Sequence, residues 1–497
     1  MFTKGRILCF ALTAGATTQS FLGLGMPSHE TPKQKSFPQS YIAAYDDGLF
    51  TPFEQLGALS EVQFTTLGHP VFPHYSVRIK KSSNFCDGTV KRARHLFFYF
   101  FESRNDPDKD DVIFWTNGGP GCSSNLGVYM ELGPCRILDD NGTVFHPESW
   151  NSNANIFFVD QPIGTGFSYA EYGQTVSTTE EAAKDVAAFI AIFFENFTQF
   201  RGRALHMASE SYGGRYIPVF AAEVYDQNAM LIAAGITPIS LQSIMIGNGL
   251  TDFYTMLAAC VDTQCTGAAV FPVQSISACI RMKQALPRCQ KWLTESCINQ
   301  FDTMNCQAAS IFCETEIFST FFSTGKNPYD ISKDCDGPIE ETMCYPVTKH
   351  ISSFLDRPSV REKLGVDPSV TGNFSFCSAT VRQAFVSTVD EYHATDTHVA
   401  ALLERGVRAL IFVGSYDWFC NWIGVQAWTL NMEWSGKEAF GQQPLRSWQV
   451  EGQVVGQTRS AKGLTFATVD GAGHMVPYDK TKEALAMVQR WLAGIGL

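Results

Sequence analysis

Three short stretches carry side chains that can do chemistry together: Ser211 in "SESYGG", Asp417 in "GSYDWFCNW" and His474 in "DGAGHMVP". A hydroxyl, an imidazole and a carboxylate are the parts of serine-type acyl transfer, in which the base takes the nucleophile's proton and the acid holds the base. Two serines compete for the first role. The usual elbow is G-x-S-x-G; Ser211 has Gly213 two residues on, whereas Ser209 has only Ser211 there, so Ser211 reads as the nucleophile. Ser209 then stands where the first glycine is expected, and it is small enough for a strained turn. His474 is one of ten histidines, and it stands apart because Gly471 and Gly473 let the backbone turn tightly and aim its ring. Asp417 lies among Tyr416, Trp418 and Phe419, surroundings that favour a partnered, half-buried acid over a solvated one.

Such groups need elements that place them. Short apolar, β-rich runs end in glycine or polar turns with helical patterns after them, the rhythm of an α/β fold. Val112 to Trp115 runs into "NGGPG", Asn155 to Val159 into "DQPIGTGFSY" and Ala204 to Ala208 into the Ser211 turn. Ile244 to Ile246 leads to "GNGLTD", Ala409 to Val413 to "GSYDW" and Phe466 to Val469 to "DGAGH". All three candidate residues thus follow strand ends, the edge where catalytic groups collect in open α/β sheets. The rhythm breaks between Asp252 and Tyr345, resumes by about Ser353, and closes with an amphipathic helix near Lys482 to Leu492.

The 497 residues carry a formal charge of -12, which argues against nucleic acid or an anionic membrane as partner. No stretch beyond the N-terminus offers ~18 uninterrupted apolar residues, so no membrane span is expected. Lys4 and Arg6, the apolar Ile7 to Thr13 and the small Ala14-Gly15-Ala16 read as a signal peptide. The polar, proline-containing stretch up to Ser40 reads as a pro-segment or flexible arm. Of fifteen cysteines, nine lie between Cys260 and Cys344; they lack paired zinc spacings and read as disulfides of an oxidising compartment. Sequons at Asn141, Asn196 and Asn373 fit a glycosylated secretory protein.

Together "WTNGGPGCSS", "DQPIGTGFSY", "ESYGGRYIP", "GNGLTD", "CNW" and "GAGHMVP", in this order and with "FFESRNDP" upstream, resemble the serine carboxypeptidase family. The resemblance spans Tyr41 to Leu497 and implies an α/β-hydrolase fold with a disulfide-rich, mainly helical insertion. Together with the signal peptide and arm read from the N-terminal residues and the break in rhythm after Asp252, it gives a division into a signal peptide (1–16), a pro-segment or arm (17–40), a first core part (41–252), the insertion as a cap (253–345) and a second core part (346–497). It assigns Ser211, Asp417 and His474 as the triad and the backbone N–H groups of Gly119 and Tyr212 as the oxyanion hole. Asn117, Gly118, Glu131 and Glu210 match the cluster that binds the substrate's terminal carboxylate. Cys420 matches a free thiol near the substrate pocket, and Met475 suggests that apolar C-terminal residues are accepted. The implied disulfides are Cys122 with Cys377, Cys289 with Cys313, Cys297 with Cys306 and Cys335 with Cys344. Cys279 would take Cys260 or Cys265, and Cys86 with Cys135 would be an addition to the family pattern. Setting Cys420 aside leaves an odd number after signal removal, which calls for another unpaired thiol or an extra partner.

The expected activity is therefore hydrolysis of the C-terminal peptide bond of peptides and proteins through an acyl-enzyme, without metal or cofactor. Packed glutamates raise one another's pKa, which points to an acidic working range. The expected locations are the vacuole or lysosome and the extracellular space; the oligomeric state is open. Three other readings compete: an acyltransferase using the same triad, a binding protein of the same fold with weakened chemistry, and a lipase. Ser415, where the family often has an acid, and Ser209 are the two departures from its pattern.

Overall fold

The computed structural model describes the strand backbone of residues 63–67 and 74–80, and residues 94–170 and 173–497. The signal peptide, the arm and Cys86 lie outside the described residues. A twelve-stranded sheet runs through the molecule. Its strands along the chain are β1 (Gln63–Leu67), β2 (His74–Lys80), β3 (Arg94–Phe101), β4 (Val112–Thr116), β5 (Asn155–Asp160), β6 (Ala204–Ser211), β7 (Ser240–Gly249), β8 (Arg408–Gly414), β9 (Arg446–Val450), β10 (Gln453–Ala461) and β11 (Leu464–Val469). In space the order is β1-β2-β3-β5-β4-β6-β7-β8-β11-β10-β9, with the two-residue strand Tyr169–Ala170 added on β3.

The six strands from β5 to β11 in the middle of that order pair in parallel, and the outer ones are antiparallel. Parallel strands covered on both faces cannot alternate polar with apolar, and "VIFWT" and "NIFFVD" are buried at every position. One apolar cluster packs α1 (Thr179–Asn196), α2 (Gly213–Asp226) and the helices Asp396–Glu404 and Trp422–Asn431 on one face. A second joins the helices Val347–Leu355 and Thr481–Leu492 to the other face. Because the central strands run the same way, the segments after Thr116, Asp160, Ser211, Gly249, Gly414 and Val469 all open on one edge of the sheet.

Between β7 and β8 the chain leaves the sheet. It forms α3 (Phe253–Cys265), α4 (Ile276–Leu293) and α5 (Thr303–Cys313), with two π-helical turns and a short strand pair, Lys326–Asn327 with Asp330–Asp334. Disulfides join Cys265 to Cys279, Cys289 to Cys313, Cys297 to Cys306 and Cys335 to Cys344. Cys289, Cys297, Cys306 and Cys313 with Met282, Leu293, Ile317 and Phe321 make a third core, which Trp418 enters from the main body. The ring of Phe321 stacks on Trp418 with centroids 3.9 Å apart. Helices rather than a βα alternation fill the chain from Val347 to Glu404, so the next sheet strand comes later than the sequence pattern suggests. The repeated helices lie on the sheet's faces, and apolar periodicity alone does not tell a facing helix from a crossover.

Candidate active site

Strand β6 does not stop at Ala208; it continues to Ser211, and Tyr212 caps α2 directly. Ser211 is the hinge of that abrupt change, with φ +63°. A non-glycine residue there is held by its surroundings against its own preference. The surroundings are close: Leu250 N–H donates to the Ser211 carbonyl at 2.8 Å, and a Cβ on Gly118 would lie 2.5 Å from the Tyr212 nitrogen and 3.0 Å from Ser211 Cβ. Gly118 therefore lets the "NGGPG" loop lie against the elbow. Gly119, next in that loop, has φ +121°, which a side chain would oppose. Ser209 is fully buried and its hydroxyl donates to the Thr116 carbonyl.

His474 and Asp417 come from the ends of β11 and β8. His474 Nδ1 lies 2.7 Å from Asp417 Oδ2, with both side chains buried. The His474 N–H donates to the Tyr329 carbonyl at 2.7 Å, and the Tyr329 ring lies 5.2 Å from the imidazole. A residue that the motif reading passed over completes the acid's setting. Asn248 Nδ2 donates to Asp417 Oδ2 at 2.8 Å, while its Oδ1 accepts from Gly414 N–H at 3.2 Å. Asn248 has φ +44°, a conformation asparagine tolerates better than most residues. Its only sequence signal was its place in "GNGLTD", at the end of the strand next to β8.

The two glutamates meet at Asn117. Its amide donates to Glu131 Oε1 at 2.9 Å and to Glu210 Oε1 at 3.0 Å, and its own oxygen accepts from Trp115 Nε1 at 2.9 Å and Gly127 N–H at 3.1 Å. Glu131 ends a π-helical turn, Gly127–Glu131, the sort of helical irregularity often found at sites. Burial pushes the Glu131 carboxyl above its ordinary range. Burial pushes Glu210 well above it, and the neighbouring Glu131 adds to that shift. Among the described residues no N–H or hydroxyl donor reaches the buried second oxygen of either carboxyl. The arrangement is thus a neutral-leaning carboxyl pair with spare capacity, one residue from Ser211.

Cys420 is buried and unpaired, and its sulfur lies within 4.8 Å of ligand atoms of Asp417 and His474. Cys260 is the second unpaired thiol among the described residues; Asn421 Nδ2 approaches its sulfur at 3.6 Å, and Cys279 is bonded to Cys265 instead. Cys122 is bonded to Cys377, beside the Gly119 loop, and Cys135 is also disulfide-bonded. Met475 is buried in the second apolar cluster. Asn141 and Asn373 are exposed, and Asn196, at the end of α1, is half-buried.

Residues 70–494 match the sequence profile of the family described as serine carboxypeptidase. The chain is 39% identical over 416 residues to carboxypeptidase Y of Candida albicans, covering 84% of this chain and 74% of the relative. It is 37% identical over 419 residues to carboxypeptidase Y homolog A of Pyrenophora tritici-repentis, with the same coverage. Among solved structures it resembles Kex1Δp, a prohormone-processing carboxypeptidase from Saccharomyces cerevisiae, with a TM-score of 0.72 and 23% identity over 85% of this chain and 92% of that one. The likeness to that structure establishes the α/β-hydrolase fold.

Proposed function

The chain belongs to the serine carboxypeptidase family, and from that premise we propose that it removes C-terminal residues from peptides and proteins through an acyl-enzyme formed on Ser211. In this reading the Ser211 hydroxyl attacks the last peptide carbonyl while His474 takes its proton, held by Asp417. The backbone N–H groups of Gly119 and Tyr212 receive the negative charge that develops on the carbonyl oxygen. His474 then returns the proton to the departing amino acid. A water molecule, deprotonated by the same imidazole, hydrolyses the ester and frees the shortened peptide.

The observation that carries the exopeptidase reading is the Glu131, Asn117, Glu210 cluster beside the elbow. An internal peptide bond has no use for it. A carboxyl pair that retains a proton can turn an O–H toward a substrate carboxylate, with Gly118 N–H as a further donor, whereas a fully charged pair would repel it. Peptide turnover should therefore be favoured at acidic pH. The disulfides and the unpaired thiols' burial suit an oxidising compartment, and we place the protein in the secretory pathway, destined for a vacuole or lysosome or for the extracellular space.

The test is mass spectrometry of a peptide incubated at acidic pH, the side on which a raised carboxyl pair keeps its proton. Sequential loss of C-terminal residues by the native protein, and none by Ser211→Ala, is expected. Internal cleavage, or equal trimming by Ser211→Ala, would overturn the assignment.

A further inference from the structure

The first turn of α2 is tied to a carboxylate that lies in none of the motifs. Asp390, at the start of a 3-10 turn reaching Tyr392, is buried. Its side chain accepts the Tyr212 hydroxyl at 2.7 Å, the Thr179 hydroxyl at 2.6 Å, the Thr179 N–H at 2.9 Å and an Arg215 Nη2 at 3.3 Å. Arg215 is only 1% exposed, donates from Nε to the Asp390 carbonyl at 3.0 Å, and also reaches Glu180. A buried carboxylate beside a guanidinium and with three further donors is satisfied and rigid. Thr179 opens α1, Tyr212 caps α2 and Arg215 sits in its first turn, so Asp390 is the point where these segments are joined.

Those segments carry one proposed oxyanion donor and hold the loop of the other. Tyr212 offers its own N–H. The Tyr216 hydroxyl accepts from Gly121 N–H at 3.3 Å and so holds the loop that contains Gly119. The Tyr212 and Tyr216 rings meet edge to face with centroids 5.1 Å apart, and both pack on Phe385. Thr395 donates to the Gly214 carbonyl at 2.7 Å. Phe385, Asp390 and Thr395 all belong to one stretch after the insertion, which braces the elbow from outside. The positive φ of Ser211 needs such bracing, because a strained residue persists only where its neighbours over-determine it.

We propose that Asp390 is a positioning residue of the oxyanion hole: by clamping the Tyr212 phenol it orients the Tyr212 N–H toward the developing oxyanion. The inference rests on the assignment of Ser211 and Tyr212 made above. It acts where charge appears, so its loss should lower turnover and leave substrate binding alone. A brace of the fold in general would lower stability without that separation.

Asp390→Asn and Tyr212→Phe are compared with the native enzyme on a peptide substrate, and with two inhibitors. One is a peptide aldehyde, whose adduct with Ser211 places an oxygen in the oxyanion hole; the other is the released C-terminal amino acid, a product that lies on the leaving-group side and makes no adduct. Expected in both variants is a kcat lower by about tenfold to a hundredfold, the range for a displaced catalytic group, with KM little changed. Aldehyde affinity should fall by a similar factor and product affinity should hold. Unchanged kcat and aldehyde affinity, or equal weakening of both inhibitors, would overturn the proposal. Where Asp390→Asn does not fold, Tyr212→Phe alone decides, since it removes one hydroxyl and leaves Asp390 its Thr179 and Arg215 partners. A native enzyme that neither trims peptides nor binds the aldehyde would instead sink the assignment of Ser211.

Discussion

Glu131 and Glu210, 79 positions apart in the chain, share one neutral donor, the Asn117 amide, at 2.9 and 3.0 Å. The chain brings two buried acids together, and among the described residues neither forms an ion pair with a cation. Both carboxyls are consequently raised by burial, Glu210 further by its neighbour's charge.

A pH dependence follows for catalysis. As pH rises through the raised values the pair loses its proton, so KM for peptides should rise. An ester substrate without a terminal carboxylate should show no such rise. Glu210→Gln should flatten the peptide profile. KM measured for both substrates across the acidic and neutral range checks it.

The same shift acts on stability. Above the ordinary glutamate value of 4.5, and below the raised folded values, the native state binds more protons than the unfolded chain. Unfolding free energy from this pair therefore declines as pH rises through that window. Urea titrations at several pH values should show the decline, and Glu131→Gln with Glu210→Gln should remove it.

Asn248 gives a test of how the acid is held. Asn248→Gly keeps the left-handed backbone accessible and deletes the bonds to Asp417 and Gly414, so it isolates the side chain's role. The expected result is a kcat/KM lower by about tenfold, equivalent to a hydrogen bond of roughly 1.4 kcal/mol to a charged group. A value equal to the native one would show that His474 alone orients Asp417.

Ser209 and Gly213 should behave as a pair. The Ser209 hydroxyl lies 1.8 Å from where a Cβ on Gly213 would be, so Gly213→Ala should fail to fold or to turn over. Ser209→Gly loses one buried hydrogen bond, which costs about 1 kcal/mol, and should keep its activity. Melting temperatures with kcat/KM for the two variants decide the point.

The thiols allow a chemical test. Alkylation of the denatured, unreduced protein followed by peptide mapping should mark Cys260 and Cys420, and leave Cys265, Cys279, Cys289 and Cys313 unmarked. In the native state both thiols should react slowly, because they are buried and burial raises each pKa.

The positions readable in advance are those where chemistry and local backbone coincide. Ser211 and His474 are flanked by glycines that the turns need, and the buried central strands are unbroken apolar runs. Asn248 and Asp390 are different, since their partners come from elements that only the parallel pairing and helix packing bring near. Asp390 lies in "STVDEYH", which looks like an ordinary polar turn. The choice between Cys260 and Cys265 was open for a similar reason. Five residues apart on α3, they point roughly 140° from each other at 3.6 residues per turn, and only the fold decides which one faces Cys279.

The stacking of Phe321 on Trp418 bears on modularity. Phe321 belongs to the insertion, and Trp418 is the residue after the acid Asp417. The disulfide-bonded segment between β7 and β8 and the Asp417 loop thus share a wall, with Phe318 adding a second ring at 5.3 Å. A chimera that exchanges residues 253–345 for a foreign cap would cut through that wall. The aromatic contact thus ties the disulfide-bonded segment to the loop that holds Asp417, and exchanging one without Trp418 would leave the other with a bare face.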